Sequence, residues 1–220
     1  MSKESLAKLR EQVQKMGSGG VKKDHEGYWR PTTDNLGNGS AVIRFLPGLD
    51  EDPFVKVCNH AAKNQRTGKW FIKDCPRTID LACPVCDLLS KNVEFKQKTY
   101  FHSNILVVSD RAASYNEGQV CLFKFGNRIM DKINDALSPQ FADIEALNPF
   151  DELEGVDFRL VETRQGGYPN FDKSEFEKKP SALVDMSVLT KRRSLAALIA
   201  ADKFESYEGL KDALEKMLKG

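Results

Sequence analysis

The chain has 220 residues, 40% apolar and 30% charged, and its 33 basic and 32 acidic residues leave a net charge of +1. These values are ordinary for a globular protein with one core or a core and a subdomain. No run of about 18 apolar residues is present, which excludes a membrane-spanning helix. We also expect no signal peptide and, with five clustered cysteines, a reducing compartment and no disulfides.

The predicted elements begin with a short helix at Ser2–Met16, which has one apolar stripe and is followed by a flexible joint at Gly17–Gly20. Tyr168–Phe171 is predicted to be a loop because glycines precede it and Pro169 lies within it. Apolar alternation and turn residues predict strands at 40–47, 54–60, 70–74, 99–109, 120–125 and 156–163. Helical spacing predicts helices at 85–91, 127–137, 195–201 and 207–218.

Several short strands followed by helices favour a small antiparallel barrel over alternating β-α units. We therefore predict a mainly β fold with helical appendages, for which the OB-fold, a five-stranded partly open barrel, is the first candidate. The predicted domains are a helical segment at 1–20 and a core at 21–220. Within that core we place a zinc subdomain at about 54–95 and the C-terminal helices at about 192–219.

Four potential metal ligands lie within 27 residues: His60, Cys75, Cys83 and Cys86. A Cys-x-x-Cys pair on one turn places two thiolates on one ion, and two further ligands complete the tetrahedron that Zn²⁺ prefers in structural sites. Cys58 precedes His60 by two residues on a predicted strand, so both point to the same face. Spacing alone leaves a Cys₄ site and a Cys₃His site open.

The sequence carries few of the features that an enzyme would need. A catalytic zinc site needs an open coordination position and a general acid or base, and His60 is followed by Ala61 and Ala62 rather than by a glutamate. The chain carries no metalloprotease, nucleophile-elbow or phosphate-loop motif. We predict that the protein is not an enzyme, and a zinc-dependent enzyme acting on nucleic acid is kept as an alternative.

Two lysines precede three consecutive aromatic or imidazole rings in Lys96–His102, and in Phe123–Arg128 two phenylalanines flank a lysine ahead of an arginine. Lysines follow a phosphate backbone and flat rings stack on unpaired bases, so this pattern indicates binding of single-stranded nucleic acid. By period two, Phe101 shares a face with core residues and is expected to be buried, whereas Tyr100 and His102 are expected to be exposed. The segment 54–73 adds five basic residues and no acid, whereas 131–157 holds eight acids and one lysine.

The chain resembles the single-stranded DNA-binding, helix-destabilising proteins of T-even-type bacteriophages. The matching segments occur in the family's order and cover most of the chain: Gly39–Pro47, Asn59-His60, Gly68–Trp70, Cys83–Cys86, Ser90–Asn92, Asn104–Val108, Asn116–Gly118, Phe125-Gly126 and Asp131–Asn134. Three features depart from the family's pattern: His102 stands where the family has a tryptophan, 76–82 lacks a tyrosine, and 2–5 matches the N-terminal motif poorly.

The resemblance implies an OB-fold with a zinc subdomain and one structural Zn²⁺, with His60 rather than Cys58 as the fourth ligand. It implies sequence-independent, cooperative binding of single-stranded DNA in phage replication, recombination and repair. It also implies self-association along the strand, contacts with phage replication and recombination proteins, and a location in the cytoplasm of the infected host. A zinc-ribbon scaffold that binds only proteins is the other alternative. The predicted DNA-binding residues are Lys56, Lys63, Arg66, Lys69, Lys96, Lys98, Tyr100, Phe101, His102, Phe123, Lys124, Arg128, Tyr168 and Phe171.

Overall fold

A computed structural model describes residues 27–89, 96–183 and 185–219. The predicted helix at Ser2–Met16, and with it the predicted segment 1–20, lies outside the described residues. The described chain is mostly β-sheet with a few helices, which confirms the predicted mainly β class. None of the described helices is both long and apolar enough to cross a membrane.

The predicted strands and helices are found with their ends shifted by a few residues. The exceptions are the predicted helix at 195–201, which forms two 3₁₀ turns, and the predicted loop at Tyr168–Phe171, most of which is a short strand paired with its neighbour across Gly166 and Gly167. The strands are β1 (Tyr28–Trp29), β2 (Gly39–Leu46), β3 (Val55–Lys63), β4 (Trp70–Asp74), β5 (Lys96–Ser109), β6 (Val120–Phe125), β7 (Phe158–Gln165), β8 (Tyr168–Asn170) and β9 (Glu175–Phe176). The helices are α1 (Pro84–Leu89), α2 (Asn127–Leu137) and α3 (Tyr207–Lys219).

The chain forms two compact units. The described residues of the first belong to 1–46, 105–123 and 131–192, and its strands follow the order β1-β6-β5-β2-β7-β8, with β9 against β7. Its core is aromatic: the ring of Phe45 lies 5.7 Å from Phe158 and 5.6 Å from Phe150. Arg44 is buried on β2 and is neutralised by Asp157 at 2.8 Å, which meets the requirement that a buried charge be paired.

The second unit contains the described residues of 47–104, 124–130 and 193–220. Here β3 lies between two antiparallel partners: residues 59–63 pair with β4 and residues 55–61 with the first half of β5. Directly paired residues of antiparallel strands point to the same side of a sheet, so the register assigns every side chain of these three strands to one of two faces.

One face of this sheet is covered in part, and we call it the cluster face. Ala62 on β3 and Phe71 on β4 are buried there together with Leu210 and Leu214 of α3. Leu210 and Leu214 are four residues apart, which places them on one side of the helix. The hydroxyl of Ser206 accepts a hydrogen bond from the Gly209 N–H at 3.2 Å and caps the start of α3.

Candidate metal cluster and nucleic-acid interface

Four ligand-type side chains meet at the cluster face. His60 comes from β3, Cys75 follows β4, and Cys83 and Cys86 flank the start of α1. Their donor atoms all lie within 4.8 Å of one another. His60 Nε2 lies 3.4 Å from the Sγ atoms of both Cys83 and Cys86, and Cys75 Sγ lies 3.5 Å from Cys86 Sγ.

These separations fit a tetrahedral metal ion. Zn–S bonds of about 2.3 Å and Zn–N bonds of about 2.0 Å at tetrahedral angles place neighbouring donors about 3.5–3.8 Å apart. Cys58 is not part of the group: its Sγ lies 3.7 Å from the hydroxyl of Thr99. The structure therefore brings together His60, Cys75, Cys83 and Cys86, and this group could hold one metal ion.

The protonation states suit metal binding. Burial, with a smaller contribution from the charge of Arg77, lowers the pKa of His60 and keeps the imidazole neutral, the form in which it ligates. Burial raises the pKa of the thiols of Cys75 and Cys86. A buried thiolate needs a nearby positive charge, and a divalent cation at the centre of the group would supply it.

Backbone hydrogen bonds fix the ligand positions. The N–H of Cys75 donates to the carbonyl of Cys58 at 2.8 Å, and the Cys75 carbonyl accepts from the Thr78 N–H at 2.9 Å. Asp80 ends the following 3₁₀ turn with a φ of +60° and so redirects the chain toward Cys83. The short Cys83–Cys86 segment then begins α1, which holds both thiols on one turn.

The opposite side of the same three strands carries three lysines and one acid, and a fourth lysine, Lys124 of β6, reaches over it. We call it the lysine face. Directly paired residues form rows across this face. The rows are Lys63 with Trp70, then Ile72, Ala61 and Lys96, then Asp74, Asn59 and Lys98, then Val57 and Tyr100, then Val55 and His102. Lys124 Nζ lies 4.1 Å from the centre of the Tyr100 ring. Lys63, Lys96 and Lys98 are exposed and Tyr100 is half-buried, so this surface offers cations beside a ring.

Three predicted aromatic or imidazole residues are buried instead. Phe101 packs against Phe125 at 5.7 Å and edge-on against Phe54 at 5.6 Å, as its period-two position predicted. Phe123 is buried in the first unit against Trp29. The expectation that His102 is exposed is wrong: its residue exposure is 7%. The middle of β5, from Phe101 to Ile105, is buried on both sides, so alternation does not distinguish its faces.

The remaining predicted residues divide between the two units. In the second unit, Lys56 is exposed and pairs in register with Phe101, away from the lysine face. Arg66 and Lys69 are exposed at the β3–β4 turn, where Arg66 also donates to the carbonyl of Lys219 at 2.6 Å. Arg128 is exposed at the start of α2. In the first unit, the Tyr168 side chain is 77% exposed and Phe171 is half-buried.

His102 predicts a specific acid sensitivity. Burial, with a smaller effect of Lys124, lowers its pKa to about 4. The folded-state pKa of His102 lies below its unfolded value of about 6.5. The stability that depends on the neutral imidazole is therefore fully present above about pH 6.5 and is lost as the pH falls toward 4. Between pH 7.5 and pH 5, His102 should account for about 2 kcal/mol of the fall in the free energy of unfolding.

Urea denaturation at both pH values measures this effect. The variant His102→Gln is neutral at every pH, so its loss of stability between pH 7.5 and pH 5 should be smaller than that of the wild type by this amount. Equal losses in the two proteins would contradict the assignment.

Sequence reasoning missed two residues of the lysine face, Trp70 and Ile72 on β4. Both are exposed, at 63% and 58%, while Phe71 between them is buried. The segment Trp70-Phe71-Ile72 is apolar throughout, so it contains no polar residue that would mark the outward face.

A buried Cys₃His group behind a sheet whose other face carries lysines and rings is typical of a nucleic-acid-binding protein built around a metal site. Residues 37–218 match the family described as gp32 DNA binding protein like, and the chain belongs to this family. This confirms the resemblance seen in the sequence.

Curated relatives agree with this membership. The protein of Enterobacteria phage T2 named "Single-stranded DNA-binding protein" is 34% identical over 98% of this chain and 78% of its own length. The protein of the same name from Enterobacteria phage T4 is 36% identical over 94% of this chain and 76% of its own length. A shorter relative from Escherichia phage SV14, also so named, is 41% identical over 41% of this chain and 83% of its own length.

Proposed function

We propose that this protein binds single-stranded DNA without sequence preference and acts in phage DNA replication, recombination and repair. The observation that carries the proposal is the lysine face, on which Lys124 lies over the ring of Tyr100 and Lys98 and Lys96 follow on the same side of β5. Family membership and the printed names of the relatives support the same assignment.

In this proposal the cations and rings have different roles. Lysines on the face replace the counterions of the phosphates, which makes binding sensitive to salt. Rings stack on the faces of unpaired bases, which duplex DNA hides, so single strands are preferred. The ring of Tyr168 is exposed and that of Tyr100 is half-buried. Phe101, His102 and Phe123 are buried in the free protein, so their predicted contacts with DNA require the bound protein to expose them.

The exposed basic residues outside the lysine face extend the predicted contacts. We assign phosphate contacts to Lys56, Arg66, Lys69 and Arg128, which are exposed in the second unit, in addition to Lys63. In the first unit we assign a further aromatic contact to Tyr168 and Phe171 at the β8 strand. Each assignment rests on exposure and residue chemistry.

We propose that the cluster holds one structural Zn²⁺. Three sulfurs and one imidazole are the donors that this ion prefers, and four protein ligands complete its coordination. Since His60, Cys75 and the start of α1 would then be tied together, the metal braces β3 and β4 from behind the lysine face. We keep the OB-fold, with a metal subdomain at about 54–95 and C-terminal helices at about 192–219, as the proposed domain organisation.

No catalytic role is part of the proposal, because a metal with four protein ligands has no coordination position for an activated water. We further propose self-association along the DNA through residues 1–20, contacts with phage replication and recombination proteins, and a location in the cytoplasm of the infected host. These assignments rest on family membership alone.

The direct test uses fluorescence anisotropy of a labelled oligo(dT) and of a labelled duplex of equal length at one salt concentration. We expect the single strand to bind at least about tenfold more tightly, since stacking contributes about 1–3 kcal/mol per base and the duplex hides its bases. Equal affinity for the two DNAs, or no binding of oligo(dT), would contradict the proposed function.

A further inference from the structure

The β4 strand presents two large apolar side chains to solvent at the border of the lysine face. Trp70 and Ile72 are exposed, whereas Phe71 points to the cluster face and is buried with Leu210 and Leu214. The alternation is a consequence of strand geometry: once Phe71 is fixed in the core, Trp70 and Ile72 must point outward. Among the described strands, β4 pairs only with β3, so it forms one edge of this sheet.

Charge surrounds these two side chains on the side facing β3 and β5. Trp70 is directly opposite Lys63, and Ile72 lies in one row with Ala61 and Lys96. Ala61 is small and buried between Ile72 and Lys96. This row is therefore a shallow depression with an apolar side chain at one end and a cation at the other. Among the described residues of these three strands, Asp74 is the only acid on the lysine face, one row further along.

An exposed indole beside lysines fits a polyanion that also carries flat rings. A partner protein with an acidic surface would satisfy the lysines but would not require an indole, whereas a single strand supplies phosphates and unpaired bases together. From the Trp70 row to the Tyr100 row the sheet extends about 20 Å, at about 3.4 Å per residue along the strands. The two rings are therefore separate positions for bases.

We propose that Trp70 is a base-stacking residue and that, with Ile72 beside it, it extends the DNA path across β3 onto β4. This inference rests on the proposed function, since it assigns a further contact to the same DNA. It adds a position at the opposite edge of the face from Tyr100.

The tryptophan content of the chain allows a test by fluorescence. Trp29 is the other tryptophan. It is 4% exposed, and its Nε1 donates to Asp110 at 3.2 Å. In Trp29→Phe, emission comes from Trp70 alone, and in Trp70→Phe it comes from Trp29 alone. Addition of oligo(dT) should quench Trp29→Phe strongly and should leave the emission of Trp70→Phe nearly unchanged.

Anisotropy of labelled oligo(dT) measures affinity in the same samples. Trp70→Ala should weaken binding about 5- to 160-fold, the loss of one stacked base, and Trp70→Phe should recover most of that loss. Tyr115→Ala removes an aromatic of similar exposure in the first unit and should bind as the wild type does. Circular dichroism and metal analysis check that each variant is folded.

The outcomes separate the two proposals. If the wild type binds oligo(dT) while Trp70→Ala binds equally well and Trp29→Phe shows no quenching, the inference is wrong and the proposed function stands. If the wild type does not bind oligo(dT), the proposed function fails, and the inference fails with it.

Discussion

Replacing Cys86 with serine should release the metal, lower the temperature of unfolding and weaken DNA binding together. The serine hydroxyl is a poor ligand, and Cys86 Sγ lies within 3.5 Å of both Cys75 Sγ and His60 Nε2. Metal binding at such a site is coupled to folding and contributes on the order of 4 kcal/mol or more. For a chain of this length we expect the unfolding temperature to fall by about 10 °C or more.

Two cysteine variants serve as matched controls. Cys58→Ser changes the thiol two residues from His60, whose Sγ lies near the Thr99 hydroxyl and is not one of the four grouped donors. Cys121→Ser changes a half-buried thiol on β6 in the first unit. Metal analysis should find close to one ion per chain in both controls and in the wild type. Full metal content in Cys86→Ser, or loss of metal in Cys58→Ser, would overturn the ligand assignment.

The double variant Lys96→Gln, Lys98→Gln should lose most of its affinity for single-stranded DNA at moderate salt. Each lysine that neutralises a phosphate contributes about 0.7 to the slope of log Kobs against log salt concentration. At about 0.1 M salt this corresponds to about fivefold in affinity per lysine, and so to about 25-fold for the pair. Anisotropy of labelled oligo(dT) measures this change.

The control must change the same charge elsewhere in the second unit. Lys211 and Lys216 are exposed on α3, which packs on the cluster face, so Lys211→Gln, Lys216→Gln should retain wild-type affinity. Asp74→Asn should instead increase the affinity for single-stranded DNA, because it removes the acid between the lysines. Equal losses in the two lysine pairs would indicate that overall charge, rather than the lysine face, determines affinity.

The metal group could be predicted from the sequence because its ligands are close in the chain. Cys83 and Cys86 are three residues apart, and Cys75 and His60 are brought to them by two strands that the sequence also predicted. Strand periodicity could not decide between Cys58 and His60, since both point to the cluster face. Their separation along β3, about 6.8 Å, decides which one reaches the group.

The accessibility of the rings was harder to predict. Alternation along β5 places Phe101 and His102 on opposite faces of the strand and so predicted that only one of them is buried. Both faces of β5 are covered at this point, so both side chains are buried. Trp70 was missed for a related reason: an apolar run does not show which residues point outward until Phe71 is seen packed against α3. These features depend on contacts between distant parts of the chain.

The most direct test of the central claim is the salt dependence of oligo(dT) binding by the wild-type protein. If Lys63, Lys96, Lys98 and Lys124 contact phosphates, they alone should give the plot of log Kobs against log salt concentration a slope of about −3, from about 0.7 per contact. The contacts assigned to Lys56, Arg66, Lys69 and Arg128 should steepen that slope toward about −6. A slope shallower than about −1 would mean that the lysine face does not bind the phosphate backbone.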